Sequence, residues 1–289
     1  MKYSIPQGIE HRPIAVIGAG TLGRRIALMM STQGGEVRIF DKMQKSREDG
    51  VKFVEETLPA VLATVPNATA AKVVATGDLE AAIENAWMVF EVVPEHLDLK
   101  KELFGTLDAK SSPDTILASN SSSFPASQFI DNVKRPERVL NTHFYMPPDI
   151  RVVELMSCGK TDPGIIDFLM ERFSRYGLAP FRVQHESVGF IFNRIWAAIK
   201  RESLAVVAEG VSTPTDVDHI YRLFTGSDAG PFRNMDRVGL DVVLDIEEHY
   251  ATLRPGIPEG PRDLLKSYIA KGWLGRKAGH GFYDDYNKS

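Results

Sequence analysis

The sequence predicts a doubly wound α/β sheet in roughly the first two thirds of the chain, followed by an all-helical C-terminal domain. Three observations carry this expectation. Short apolar runs alternate with amphipathic stretches up to about residue 185. The first run leads straight into a glycine-rich turn. Beyond Gly189 the chain changes to long segments of helical periodicity.

The apolar runs are IAVIG (14–18), EVRIF (36–40), KVVAT (72–76), WMVFEVV (87–93), TILAS (115–119), VLNTHFY (139–145), RVVELM (151–156) and APFRV (179–183). Several lack polar alternation, as strands covered on both faces of a parallel sheet do. The intervening segments, such as Leu22 to Gln33 and Leu97 to Leu107, have helical spacing. Strand–helix alternation of this kind argues for a doubly wound domain. Farther on, GFIFNRIWAAIKRESLAVVAEG (189–210) lacks turn residues, and 215–224, 239–252 and 260–271 also read as helices. The final GRKAGHGFYDDY is glycine-rich and reads as a docked loop. The boundary is expected between His185 and Val188, giving domains of residues 1–186 and 187–289.

Composition removes several function classes. Across 289 residues, 43% are hydrophobic and 25% charged, as in soluble globular domains. A formal net charge of −4 offers no basic face for nucleic acid. No run approaches the apolar length of a membrane span. Cys158 is the only cysteine, so no internal disulfide forms and a reducing compartment is the simplest reading. It has no acid–base neighbour in sequence and reads as structural. The polar start, MKYSIPQGIEHRP, does not read as a signal peptide. A cytoplasmic protein with neither nucleic-acid nor membrane partners is expected.

The glycine turn carries the first functional signal. Gly18-Ala19-Gly20-Thr21-Leu22-Gly23 sits between the first strand and the helix after it. Gly18 permits the tight turn, Gly20 lets the backbone approach a pyrophosphate, and Gly23 lets helix and strand pack closely. The helix N-terminus then offers unpaired N–H groups and a partial positive charge to the anion. The second strand ends in Asp41, where a carboxylate can accept hydrogen bonds from both ribose hydroxyls of NAD and would repel the extra phosphate of NADP. Lys42 and Lys45 lie close in sequence. A helix-start glycine cluster with a surface aspartate is the plainer alternative. The complete strand–turn–helix–strand–acid order favours the Rossmann-type nucleotide site.

The motifs VIGAGTLG, EVVPEHLDLKKELF, ASNSSS, THFYMP, VVEL, ESVGFIFNR, AGPFRNMDRVGLD and GRKAGHGFYDDY follow one another in this order. Together they resemble the 3-hydroxyacyl-CoA dehydrogenase family over nearly the whole chain. The resemblance implies an NAD-dependent oxidoreductase that interconverts a 3-hydroxyacyl and a 3-oxoacyl compound. It places Gly18, Gly20, Thr21, Leu22, Gly23 and Asp41 at the cofactor loop and ribose acid, and Glu95, Lys100 and Lys277 near the cofactor. It places Ser122 close to both cofactor and substrate. His143 becomes the catalytic base, Glu154 its carboxylate partner, and Asn193 an active-site asparagine. These residues would surround the reacting carbon in a cleft between domains. The resemblance also implies a homodimer formed through the helical domain.

The chemistry of the residues agrees. Oxidising an alcohol requires loss of the hydroxyl proton as hydride leaves carbon, and an imidazole with an ordinary pKa of about 6.5 does this well. A carboxylate on its other nitrogen fixes the tautomer and stabilises the imidazolium. Read without the resemblance, each residue has a blander role. His143 reads as a backbone-satisfied strand-end histidine, Ser122 as part of a cap, and Glu95 and Lys100 as solvated helix-start charges. Asn193 reads as a polar residue buried inside a helix, needing a partner. Lys277 reads as a surface lysine in a loose tail.

Three positions depart from the family pattern. The segment EETLPAVLATVPNATAAK (55–72) is shorter than the family's lysine-rich helical hairpin beside coenzyme A, and only Lys72 in it is basic. Thr57 falls where the family has a small hydroxyl residue, but the lysine that follows has no match. Met146-Pro147 replaces the family's Asn-Pro after the histidine, and Val188 replaces a proline. The substrate is therefore a small molecule that carries coenzyme A or stands without it. Three readings follow: an enzyme for a hydroxyacyl thioester, a dehydrogenase of a free hydroxy acid or specialised metabolite, and a non-catalytic dinucleotide-binding protein. The intact histidine–carboxylate pair weighs against the last.

Overall fold

Each of the eight apolar runs becomes a strand of one sheet. In the computed structural model, which describes residues 3–286, these are β1 (Ile14–Ile17), β2 (Glu36–Phe40), β3 (Lys72–Thr76), β4 (Met88–Glu91), β5 (Ile116–Ser119), β6 (Val139–Phe144), β7 (Val152–Ser157) and β8 (Ala179–Val183). Between them lie α1 (Thr21–Met30), α2 (Gln44–Leu62), α3 (Leu79–Ile83), α4 (Leu97–Lys110) and α5 (Pro163–Arg175). The strand order is β3-β2-β1-β4-β5-β6-β7-β8. The order reverses beside β1, and there the crevice at the carboxyl ends of the strands accepts ligands in doubly wound sheets.

Alternate residues of the strands feed two cores, one on each face of the sheet. Val16, Met88, Phe90, Ile116 and Ala118 pack with Ile26 and Met29 of α1, Val54 and Leu58 of α2, and Leu169 and Phe173 of α5. Ala15, Ile17, Val89 and Leu117 pack with Ala82 and Ile83 of α3 and Phe104 and Leu107 of α4. This two-sided burial explains the unbroken apolar runs. The edge strands β3 and β8 are only partly covered.

The sheet is parallel from β3 to β6 and changes direction once. β6 and β7 pair antiparallel, and β8 follows β7 in parallel. Residues 145–151 join β6 to β7, too few for the crossover of a dozen or more residues that a parallel pair needs.

The chain divides into two compact units after Ile191. The second holds α6 (Phe192–Ala208), α7 (Pro214–Thr225), α8 (Pro231–Val238), α9 (Leu240–Leu253) and α10 (Gly260–Ile269) around Leu204, Phe232, Met235, Leu240, Val243 and Leu265. Its C-terminal segment is docked. Buried Asp236 accepts hydrogen bonds from Phe282 N at 2.9 Å, Tyr283 N at 3.0 Å and Tyr286 Oη at 2.8 Å. No described helix is long and apolar enough to cross a membrane.

Candidate functional site

The glycine loop has the geometry a pyrophosphate cradle needs. A Cβ on Gly23 would fall 1.8 Å from the carbonyl oxygen of Gly18, so only glycine fits where α1 crosses the turn. Gly18 has φ +112°, and a Cβ there would meet Val92 O at 2.5 Å. Gly20 differs: its Cβ would meet nothing within 4 Å, which leaves room for a ligand at the start of α1. No side chain caps that helix, so its first N–H groups, from Thr21 and Leu22 onward, suit an anion.

Asp41 closes the loop from β2. Its Oδ2 accepts from Ala19 N and its Oδ1 from Met43 N, both at 2.9 Å. Each oxygen keeps a lone pair for a sugar hydroxyl. Gly18, Gly20, Asp41, Lys42, Val92, Val93 and Leu103 line a cavity of about 630 Å³. A second cavity of about 250 Å³ shares Val92 and Val93 with the first and continues to Leu22, Glu91, Glu95, Lys100, Asn120, Ser122 and His143. Val92 and Val93 lie between the polar groups that line the two cavities.

Lys100 is not a solvated helix-start charge: the residue is 1% exposed. Its Nζ lies 2.8 Å from Glu91 Oε1 and 3.3 Å from Glu95 Oε2. Glu91, at the end of β4, is fully buried and also accepts from Val93 N at 2.9 Å and Ser119 Oγ at 2.5 Å. Buried charges persist only when paired and hydrogen-bonded, and here they are. Glu95 passes the network on, accepting from Ser121 Oγ and Ser122 N, each at 2.8 Å, and from Ser122 Oγ at 3.3 Å. Burial opposes its charge, but the Lys100 ammonium and the Ser121 and Ser122 donors outweigh it and hold the carboxyl below the usual carboxylate range. Ser122 thus sits at the end of a pinned chain; its role as a helix cap is excluded because no α-helix follows it before β6.

His143 and Glu154 face each other across the β6–β7 ladder in direct register. Their side chains project from the same face, as directly opposed residues do. Nδ1 of the imidazole lies 3.3 Å from Glu154 Oε2, and the two side chains are 7% and 2% exposed. Tyr145 Oη donates to the same Oε2 at 2.8 Å, and Ile191 N donates to Oε1 at 3.0 Å. Phe190 stacks on the imidazole at 4.6 Å between centroids. It reaches that position through two successive left-handed residues, Gly189 (φ +80°) and Phe190 (φ +52°).

Those left-handed residues also correct the reading of Asn193. They break the helix expected from residue 189, so α6 starts at Phe192 and Asn193 lies in its first turn, half-buried rather than inside the helix. Lys277 is not loose: it lies in a short 3₁₀ turn and pairs with Asp241 at 2.5 Å. Both belong to the second unit. Cys158 is buried beside Pro136 O and Thr161, as a structural cysteine should be. The structure adds Glu91, Asn120 and Tyr145 to the residues picked from sequence. A glutamate inside an apolar strand run with a lysine downstream was the legible sign of the first.

Asp41 lines the first cavity, and Ser122 and His143 line the second. Among the described residues no cluster of histidine, cysteine or acidic side chains could hold a metal. An Asp41→Ala variant is expected to bind NAD less tightly and to lose most of its preference over NADP. Kinetics with each dinucleotide check this; an unmodified protein that uses NADP as well as NAD contradicts it.

Comparison with known proteins agrees with this geometry. Residues 13–187 match the model for the 3-hydroxyacyl-CoA dehydrogenase NAD binding domain, and residues 189–285 match that for the C-terminal domain. The chain is 32% identical over 291 residues to the "Probable 3-hydroxybutyryl-CoA dehydrogenase" of Bacillus subtilis (strain 168), covering 97% of this chain and all of that one. It is 30% identical to the 5-formyl-3-hydroxy-2-methylpyridine 4-carboxylate 5-dehydrogenase of Mesorhizobium japonicum, over 94% of this chain and 90% of that one. The crystal structure of (S)-3-hydroxybutyryl-CoA dehydrogenase PaaH1 from Ralstonia eutropha superposes with a TM-score of 0.81 at 26% identity, over 94% of this chain and 98% of that one. A glycine loop on a doubly wound sheet, a helical second unit and matches along nearly the whole sequence place this chain in the 3-hydroxyacyl-CoA dehydrogenase family of NAD-dependent oxidoreductases.

Proposed function

We propose that the protein oxidises the 3-hydroxyl of an acyl compound to a 3-ketone, with His143 as general base and Glu154 as its partner. The observation that carries this reading is the buried His143–Glu154 pair, whose imidazole also lines the inner cavity. Bound NAD supplies the acceptor for the hydride that leaves the carbinol carbon. The protein's part is the proton. His143 Nε2 takes the hydroxyl proton, while Nδ1–H points its charge at Glu154, which stabilises the imidazolium. Ser122, fixed by Glu95, offers a hydroxyl to the substrate oxygen. Glu95 and Lys100 shape the cofactor's end of the cavity through Ser122 and Glu91. Asn193 and Lys277 are assigned to substrate and cofactor on the resemblance.

The acyl handle is a second question. α2 ends at Leu62, and residues 63–71 form no second helix of a hairpin. Lys72 lies in β3 and faces Glu36 at 3.4 Å. Thr57 is half-buried on α2. A surface this poor in lysine favours a substrate held mainly by its acyl group, because charge-assisted contacts to phosphate are the strong ones. The Mesorhizobium relative is named for action on 5-formyl-3-hydroxy-2-methylpyridine 4-carboxylate. A free hydroxy acid or specialised metabolite is the alternative substrate.

A homodimer forms through the second unit in this reading. Ile220, Leu223 and Phe224 on α7 are 57%, 73% and 90% exposed, an apolar face that a second copy would cover.

Three outcomes are expected. His143→Ala and Glu154→Ala should bind NAD almost normally while kcat falls roughly 10²-fold or more; near-normal kcat in His143→Ala would refute the assignment. In a panel of substrates, a coenzyme A thioester and a short thioester of the same acyl group should give kcat/KM values within about tenfold, a gap of about 1.4 kcal/mol. A preference of several orders of magnitude for coenzyme A contradicts this, and turnover of free hydroxy acids alone selects the alternative. Phe224→Glu should elute as a monomer in size-exclusion chromatography with light scattering, where the unmodified protein runs as a dimer.

A further inference from the structure

Glu154 serves two donors at one oxygen. Tyr145 Oη donates to Oε2 at 2.8 Å, while His143 Nδ1 stands 3.3 Å from the same atom. The shorter contact belongs to the phenol. Tyr145 also sets its ring edge-on to the imidazole, 4.7 Å between centroids at 72°, opposite in character to the flat stack of Phe190 at 14°. The imidazole is therefore held by two rings, and its carboxylate is shared with one of them.

This sharing has an electrostatic consequence. A hydrogen bond donated to a carboxylate draws its negative charge toward the donor. A carboxylate so occupied does less to stabilise an imidazolium beside it. Glu91, Glu95 and Lys100, on the β4–α4 segment, are charged groups that line the same cavity as His143. They are tied to one another at 2.8 and 3.3 Å. Asn120 and Ser122, from the segment after β5, are neutral.

We propose that Tyr145 is a positioning residue that shares Glu154 with His143 and thereby weakens the carboxylate's stabilisation of a protonated imidazole. Its kinetic consequence rests on His143 being the base, but its effect on the imidazole does not. In the oxidising direction the neutral imidazole is the working form. Tyr145 thus extends activity toward lower pH, at the expense of some base strength.

The test is a histidine titration. Protein labelled with ¹³C,¹⁵N-histidine is followed by NMR across pH, with the His143 signal assigned by its loss in His143→Gln. Tyr145→Phe should move the His143 titration to higher pH. Replacement of Tyr145 by 3-fluorotyrosine, a stronger donor of nearly the same volume, should move it to lower pH, and this second variant keeps the test open should Tyr145→Phe fold poorly. A His143 pKa that stays put or falls in Tyr145→Phe, or that fails to fall with fluorotyrosine, overturns the proposal. The acid limb of kcat/KM in Tyr145→Phe gives the separate readout. A limb that moves up with the NMR value supports both readings. An NMR shift without movement of the limb supports the role of Tyr145 while refuting His143 as the base.

Discussion

The cross-strand register of β6 and β7 is the constraint on which the site depends. Directly opposed residues of an antiparallel pair share a face, and a slip of one residue would turn one of them away. His143 opposite Glu154 is that register. It arises because the connection between the strands is too short to cross over, so the sheet reverses direction between its sixth and seventh strands. The parallel pairing of β6 with β5 sets His143 near the carboxyl end of β6, beside the crevice where β1, β4 and β5 also end. The imidazole and the carboxylate are therefore fixed by backbone hydrogen bonds rather than by loops. Preorganisation of this kind suits chemistry in which a misplaced group costs rate.

The second organising element is electrostatic. Lys100 is buried between Glu91 and Glu95, and the network runs from the end of β4 through α4 to Ser122. Breaking such a pair leaves an uncompensated charge in a low-dielectric interior, which is expensive. The arrangement fixes the serine loop after β5 without any regular structure in the loop itself. The glycine loop and Asp41 line one cavity, Val92 and Val93 line both, and Glu95, Ser122 and His143 line the other; in the proposed function the first takes the nucleotide and the second the reacting groups.

Much of the architecture was legible because its signals are local. Eight apolar runs of strand length became eight strands with nearly their observed limits. Apolar runs do not encode strand direction; for β7 the short Met-Pro-Pro-Asp connection does, through its length. Asn193 was placed inside a helix because Gly189-Phe190 looks like helix sequence until two left-handed residues are known to break it. Lys100 looked like a surface charge since burial is a tertiary property, and Glu91 was hidden in an apolar run for the same reason. Tyr145 escaped notice because an aromatic residue at the end of a strand ordinarily reads as core. In each case the missing information was a contact between segments distant in sequence, or a backbone angle without a residue signature.

Proton removal by His143 is the step on which the proposed function rests. The most direct measurement is the pH dependence of hydride transfer in a single turnover, followed by the appearance of NADH on rapid mixing. The unmodified protein should lose rate on the acid side as the imidazole becomes protonated, and His143→Gln should react slowly at a rate that no longer varies with pH in that range. An acid limb that survives in His143→Gln, at a rate near that of the unmodified protein, would contradict the account.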